Sequence, residues 1–100
     1  MEVDIANGPI EAMGLNSKQR KTLKDVFDRP TRTNIRWSDV ENLFIAVGAR
    51  VTEGKGSRVR IDMNDHVRTF HRPHPGKEAK RYAVEAVRAF LRENGIEPEQ

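Results

Sequence analysis

From Ser57 to Met63 the side chains alternate strictly, with Val59, Ile61 and Met63 set against Arg58, Arg60 and Asp62. A period of two is that of a strand with one face buried and one in water. On both sides of this region the apolar residues recur at three and four instead, which is the helical period. Few folds are open to such a chain. The strands must pair with one another and turn one apolar face toward the flanking helices, an α+β arrangement.

The punctuation divides the strands. Gly48 closes a helical pattern, Ala49 to Glu53 reads as a short strand, and Gly54-Lys55-Gly56 is a turn. Asn64-Asp65 makes a second turn, and His66 to His71 returns as the third strand. Two registers are open. A two-residue loop sets Val59 opposite Phe70 and Arg58 opposite His71, but brings Arg68 beside Ile61 on the inner face. A three-residue loop sets Ile61 opposite Thr69 and Asp62 opposite Arg68, and turns Phe70 outward. One residue of slip exchanges the two faces of the strand.

Three helices surround the strands. Ser17 is expected to cap a basic helix from about Lys18 to Asp28, with Leu23, Val26 and Phe27 as its apolar stripe and Pro30 beyond its end. Ser38 and Glu41 form an S-x-x-E capping pattern ahead of Val40, Leu43, Phe44 and Val47. Trp37 precedes that cap, where it is expected to pack over the helix start rather than stack on a base. The last helix is expected from about Lys77 to Asn94. Its stripe comprises Ala79, Tyr82, Ala83, Ala86, Val87, Phe90 and Leu91, and Gly95 stops it.

Residues 1–15 show no sustained period, and Asn7-Gly8-Pro9 interrupts them, so they are expected to form a flexible extension before a single domain over 16–100. The extension holds three acidic residues and no basic ones, which leaves eighteen Lys and Arg against twelve Asp and Glu in the remainder. Between Arg50 and Arg81 the ratio is nine to four, and all three histidines lie there. Such an excess favours a polyanionic partner, because each phosphate met by a cation releases condensed counterions. No apolar run approaches the roughly 18 residues of a membrane span, so no membrane partner is expected. Without cysteine there is neither a disulfide framework nor a thiolate metal site. No export signal is visible, and a cytoplasmic location is expected.

Several of these features together resemble the HicA family, small toxins of bacterial toxin–antitoxin pairs. They are Gly54-Lys55-Gly56-Ser57 leading into the second strand, the exit Pro73-His74-Pro75-Gly76-Lys77-Glu78, and the closing amphipathic helix. The resemblance spans about residues 37–96. It implies a double-stranded-RNA-binding-domain-like fold of order α-α-β-β-β-α, with a three-stranded antiparallel sheet packed on helices. It also implies an mRNA interferase, a metal-independent endoribonuclease without a cofactor, silenced by a HicB-like antitoxin. In the family, the residue after the glycine-serine is normally a histidine taken as catalytic. Here it is Arg58.

That difference bears on chemistry. Metal-free RNA cleavage needs a base for the 2′-OH proton and an acid for the leaving 5′-oxygen, and imidazole serves both near neutrality. A guanidinium stays protonated and cannot be the base, though it can grip a phosphate and stabilise charge on it. The catalytic candidates are therefore His71 and His74, with Arg58 as phosphate clamp at the family's histidine position. Lys55, Ser57, Arg58, Arg60, Arg72 and Lys77 are the candidate RNA contacts, since turns and strand ends bring them near one another. On the same residues, two other readings stand: a non-catalytic module that holds RNA or antitoxin, and a protein adaptor whose basic face serves an acidic partner. His71 and His74, three apart around a proline, make a poor metal pair, and no metal site is expected. Lys18, Arg20, Lys21 and Lys24 are expected to be a solvated helix face. A basic surface poor in exposed aromatics suits double-stranded RNA, which is read largely through its backbone.

Overall fold

The computed structural model describes residues 14–99. Its elements run α1 (Ser17–Phe27), α2 (Trp37–Ala46), β1 (Arg50–Glu53), β2 (Arg58–Met63), β3 (His66–His71) and α3 (Arg81–Glu93). The strands form one antiparallel sheet in the order β1-β2-β3, so β2 is central. The expected α+β class and the α-α-β-β-β-α order are both present. Of the expected extension, residues 1–13 lie outside the described residues. Leu15, expected within it, is buried in the core.

The two-residue register is the one adopted: Val59 faces Phe70, Arg58 faces His71, and Ile61 faces Arg68. Asn64 and Asp65 both have positive φ, 52° and 68°, as a two-residue turn matched to strand twist requires. Asn and Asp tolerate that region better than most residues, so the turn forms without glycine. The inward Arg68 is accommodated by length. Its guanidinium lies 5.1 Å from the Phe90 ring centroid and donates to Glu93 at 2.7 Å. The stem thereby covers the core while the charge reaches water.

Val59, Ile61, Met63 and Phe70 supply the inner face of the sheet, and α2 and α3 cover it with Val40, Leu43, Phe44, Val87, Phe90 and Leu91. Phe70 sits at the centre of the aromatic packing. Its ring centroid is 5.7 Å from Trp37, 6.0 Å from Phe44 and 6.4 Å from Phe90, all at tilted angles. Trp37 is buried, in keeping with its expected packing role. Gly48, at φ 97°, turns the chain from α2 into β1 in a conformation that a side chain would strain.

Three helix boundaries differ from expectation, each because another group meets the backbone. Asn16, not Ser17, caps α1. It accepts from Gln19 N at 2.8 Å, while Gln19 Oε1 accepts from Asn16 N at 3.0 Å. The Ser38–Glu41 capping box does not form, and α2 has no side-chain cap. Instead Trp37 N donates to Lys77 O and Ala79 N to Ile35 O, at 2.9 and 2.8 Å, which stitches the start of α2 to the exit from the sheet. The same stitch holds residues 77–79 extended, so α3 begins at Arg81 rather than Lys77.

The buried side of α3 is also rotated from the expected stripe. Val84 and Arg88 are inside with Ala83, Val87, Phe90 and Leu91, while Tyr82 and Ala86 face water. Arg88 is buried because it has acceptors. It donates to Val26 O at 3.0 Å and to Thr31 Oγ1 at 2.8 Å, satisfying the C-terminal end of α1. Burial, the largest influence, holds its pKa below the ordinary arginine value.

Candidate functional site

At the end of the sheet opposite the Asn64-Asp65 turn, the chain leaves β1, loops through Gly54-Lys55-Gly56 into β2, and later leaves β3 through Pro73-His74-Pro75. The loop is tight. Gly54 N donates to Arg58 O at 2.9 Å and Arg58 N to Lys55 O at 3.1 Å. A Cβ on Gly54 would come within 3.2 Å of Arg58 Cβ, and Gly56 has φ 62°, so both glycines serve the geometry. The ladder continues past β3 through Arg72 N to Ser57 O at 2.8 Å. That bond draws Ser57 toward the exit segment.

A cleft of about 180 Å³ opens at this junction. Ser57, His71, Arg72, Pro73 and His74 line one side, and Lys80, Tyr82 and Ala83 of the α3 region line the other, over Trp37 and Ala79. Ser57, His71 and His74 are all exposed. The fold thus brings together the two candidate histidines and two of the candidate contacts, Ser57 and Arg72, although His74 lies beyond the end of β3.

Arg72 lines the cleft but is held by acids. Its Nε donates to Glu41 Oε2 at 2.7 Å and its Nη1 to Glu53 Oε1 at 2.7 Å, while Nη2 reaches the second oxygen of each at 3.1 and 2.9 Å. These bonds, to Glu41 first and then Glu53, raise the pKa of Arg72 above the ordinary arginine value. The bond from Arg72 likewise lowers Glu53 from its ordinary 4.5. Glu41 also accepts from Trp37 Nε1, so this cluster anchors the exit segment to α2 and β1. In this arrangement Arg72 shapes the cleft wall, and its charge is already balanced by two carboxylates.

The remaining candidates stand outside the cleft. Arg58 and Arg60 point from the open face of the sheet, opposite His71 and Thr69 respectively. Arg60 also bonds Asp62 Oδ2 at 3.0 Å, which occupies part of its charge. Lys55 is exposed in the loop. Lys77 belongs to an adjoining open cleft with Arg36, Lys80, Arg81 and one acid, Glu78. Lys80 and Ala79 line both clefts. Lys55, Arg58, Lys77 and Lys80 pair with no carboxylate among the described residues. Among the described residues, no three of His, Cys, Asp and Glu gather as a metal-ligating set. No helix among them is long and apolar enough to cross a membrane.

Two site features escape the sequence pattern. Tyr82 reads as part of an apolar stripe, and Arg36 and Arg81 are not among the candidate contacts. Alanines at 79, 83, 86 and 89 blur the edge of the α3 stripe, because alanine suits either side of it. The signal that separates Tyr82 is its spacing. The buried set Ala83, Val84, Val87, Arg88, Phe90 and Leu91 is centred on the other side of the helix.

The helix–sheet–helix order, with an open sheet face and a polar cleft at one end, defines an α+β domain of the double-stranded-RNA-binding-domain-like type. The family model for the HicA toxin of bacterial toxin–antitoxin systems matches residues 37–96, from the start of α2 past the end of α3. The chain belongs to the HicA toxin family, and is thereby a toxin of a toxin–antitoxin system. No curated protein and no solved structure matches the chain in the parallel comparisons.

Proposed function

We propose that this protein is an RNA-binding toxin that cleaves mRNA as a metal-independent endoribonuclease in the cytoplasm and is neutralised by a HicB-like antitoxin. The observation that carries the reading is that Ser57, His71 and His74 line one exposed cleft within the family-matched region. One imidazole takes the proton from a ribose 2′-OH as that oxygen attacks the adjacent phosphorus. The other gives a proton to the departing 5′-oxygen, leaving a 2′,3′-cyclic phosphate and a free 5′-hydroxyl. Arg58, opposite His71 on β2, offers a guanidinium to the charge that gathers on the phosphate. Lys55, Arg60 and Lys77 hold flanking phosphates, and Arg72 fixes the wall that carries His71 and His74.

A second reading has its own support. Arginine at position 58, where the family has its histidine, favours a module that binds RNA or antitoxin without cutting, since a guanidinium does not serve as a base. Incubation with a long mixed-sequence RNA in EDTA, beside His71→Ala, His74→Ala and Arg58→Ala, separates the two. The proposal expects cleavage in EDTA that falls by about 100-fold or more in at least one histidine variant, in line with the usual weight of a general acid or base. Intact RNA with retained binding establishes the non-catalytic module. Absence of both cleavage and salt-dependent binding leaves the adaptor.

A further inference from the structure

We infer that the cleft takes a base of single-stranded RNA stacked on Tyr82, with the phosphates that follow lying along the cations of the adjoining cleft. This deepens the proposed function and rests on RNA being the partner. Five of the six Phe, Trp and Tyr residues are wholly or partly buried: Phe44, Phe70, Phe90 and Trp37 in the core, and Phe27 packed against it. Tyr82 alone stands out, 63% exposed at the start of α3. It lines the same cleft as His71 and His74. A tyrosine ring costs little to immobilise and offers a flat face to any base.

The surroundings complete a single-strand site. Lys80 lines the Tyr82 cleft and the next one, where Arg36, Lys77 and Arg81 add three further cations against Glu78. None of those four cations pairs with a carboxylate among the described residues. An aromatic platform continuous with a cationic groove is the combination that holds single strands, with bases stacked and backbone tracked. A duplex keeps its bases stacked on one another and offers none to Tyr82. The expectation from sequence, a surface poor in exposed aromatics and suited to double strands, therefore changes at this position.

The test uses fluorescently labelled 2′-O-methyl RNA, which lacks the 2′-hydroxyl nucleophile and stays intact whether or not the protein cuts. Affinity is measured for a single strand, for the same sequence as a duplex, and for the single strand with one base removed at successive positions. Wild-type protein is expected to bind the single strand more tightly than the duplex, and to lose affinity when one particular base is missing. Tyr82→Ala is expected to weaken single-strand binding by roughly 5- to 150-fold, the range for one stacked base, and to be indifferent to that missing base. Tyr82→Phe keeps the wild-type behaviour. Lys77→Ala and Arg81→Ala weaken every oligomer and flatten the salt dependence. Because the side chain is exposed, thermal unfolding of Tyr82→Ala serves as the folding control. RNA binding that ignores Tyr82, or a preference for duplex, overturns this inference and leaves the proposed function standing. No binding to any RNA overturns both.

Discussion

At the Asn64-Asp65 end of the hairpin, Asn94 Oδ1 lies 3.1 Å from Asn64 Nδ2 and 3.0 Å from His66 Nδ1, and Arg68 donates to Glu93. At the other end His71, His74, Ser57, Arg58 and Lys80 make no side-chain hydrogen bond or ion pair among the described residues. The same strands and the same residue types produce both ends. A polar group tied to its neighbours holds the structure, as His66 and Arg68 do by fastening the turn to the end of α3. A polar group left facing water has its hydrogen-bonding capacity free for a ligand. Arg72 shows the contrast within a single end: it sits among the free groups but is itself fully engaged, so it belongs with the scaffold.

The contrast breaks most severely where both ends share one support. Phe70 touches Trp37, Phe44 and Phe90, and Phe70→Ala is expected to cost about 3–5 kcal/mol of stability, read as a fall in the denaturation midpoint. Retention of the wild-type midpoint would show that the aromatic cluster is not what holds the sheet to the helices.

A smaller effect sharpens the assignment of Arg72 to the scaffold. Arg72→Ala leaves the half-buried Glu41 without its main partner, and a loss of about 1–2 kcal/mol is expected after allowance for its partial exposure. Acid titration gives a second readout of the same cluster. Glu53 is lowered in the folded protein, so its contribution is complete above its ordinary 4.5 and is lost as pH falls through the lowered folded value. Wild type therefore loses this increment below pH 4.5, and Arg72→Ala does not have it to lose. Equal acid sensitivity in the two proteins would remove Arg72 from the scaffold.

The strand pattern and the core-facing residues of α2 were legible in the sequence because burial imposes a period on them: Val59, Ile61 and Met63 at two, Val40, Leu43, Phe44 and Val47 at three and four. The register was not. It turned on whether Arg68 could face inward, and that depends on Phe90 and Glu93, more than twenty residues further along the chain. The capping pattern at Ser38–Glu41 misled for a similar reason. Its glutamate is taken by Arg72 and Trp37, and the helix starts ahead of Ser38, at Trp37, whose own N–H is met by Lys77 O. The two histidines were legible as chemistry-bearing residues from their type alone. Their cleft was not, because its far wall is Tyr82 and Lys80, and the helix rotation that exposes Tyr82 is fixed by the burial of Arg88 against α1.

The three histidines allow the contrast between the ends to be read directly, one lying at the closed end and two at the open one. Imidazole NMR signals followed during titration with single-stranded 2′-O-methyl RNA report on all three at once. Binding at the open end predicts that the His71 and His74 signals move in step with RNA while His66 stays in place. Movement of His66 with His71 and His74 unmoved would contradict it, and would put the RNA at the end where the polar groups are already satisfied.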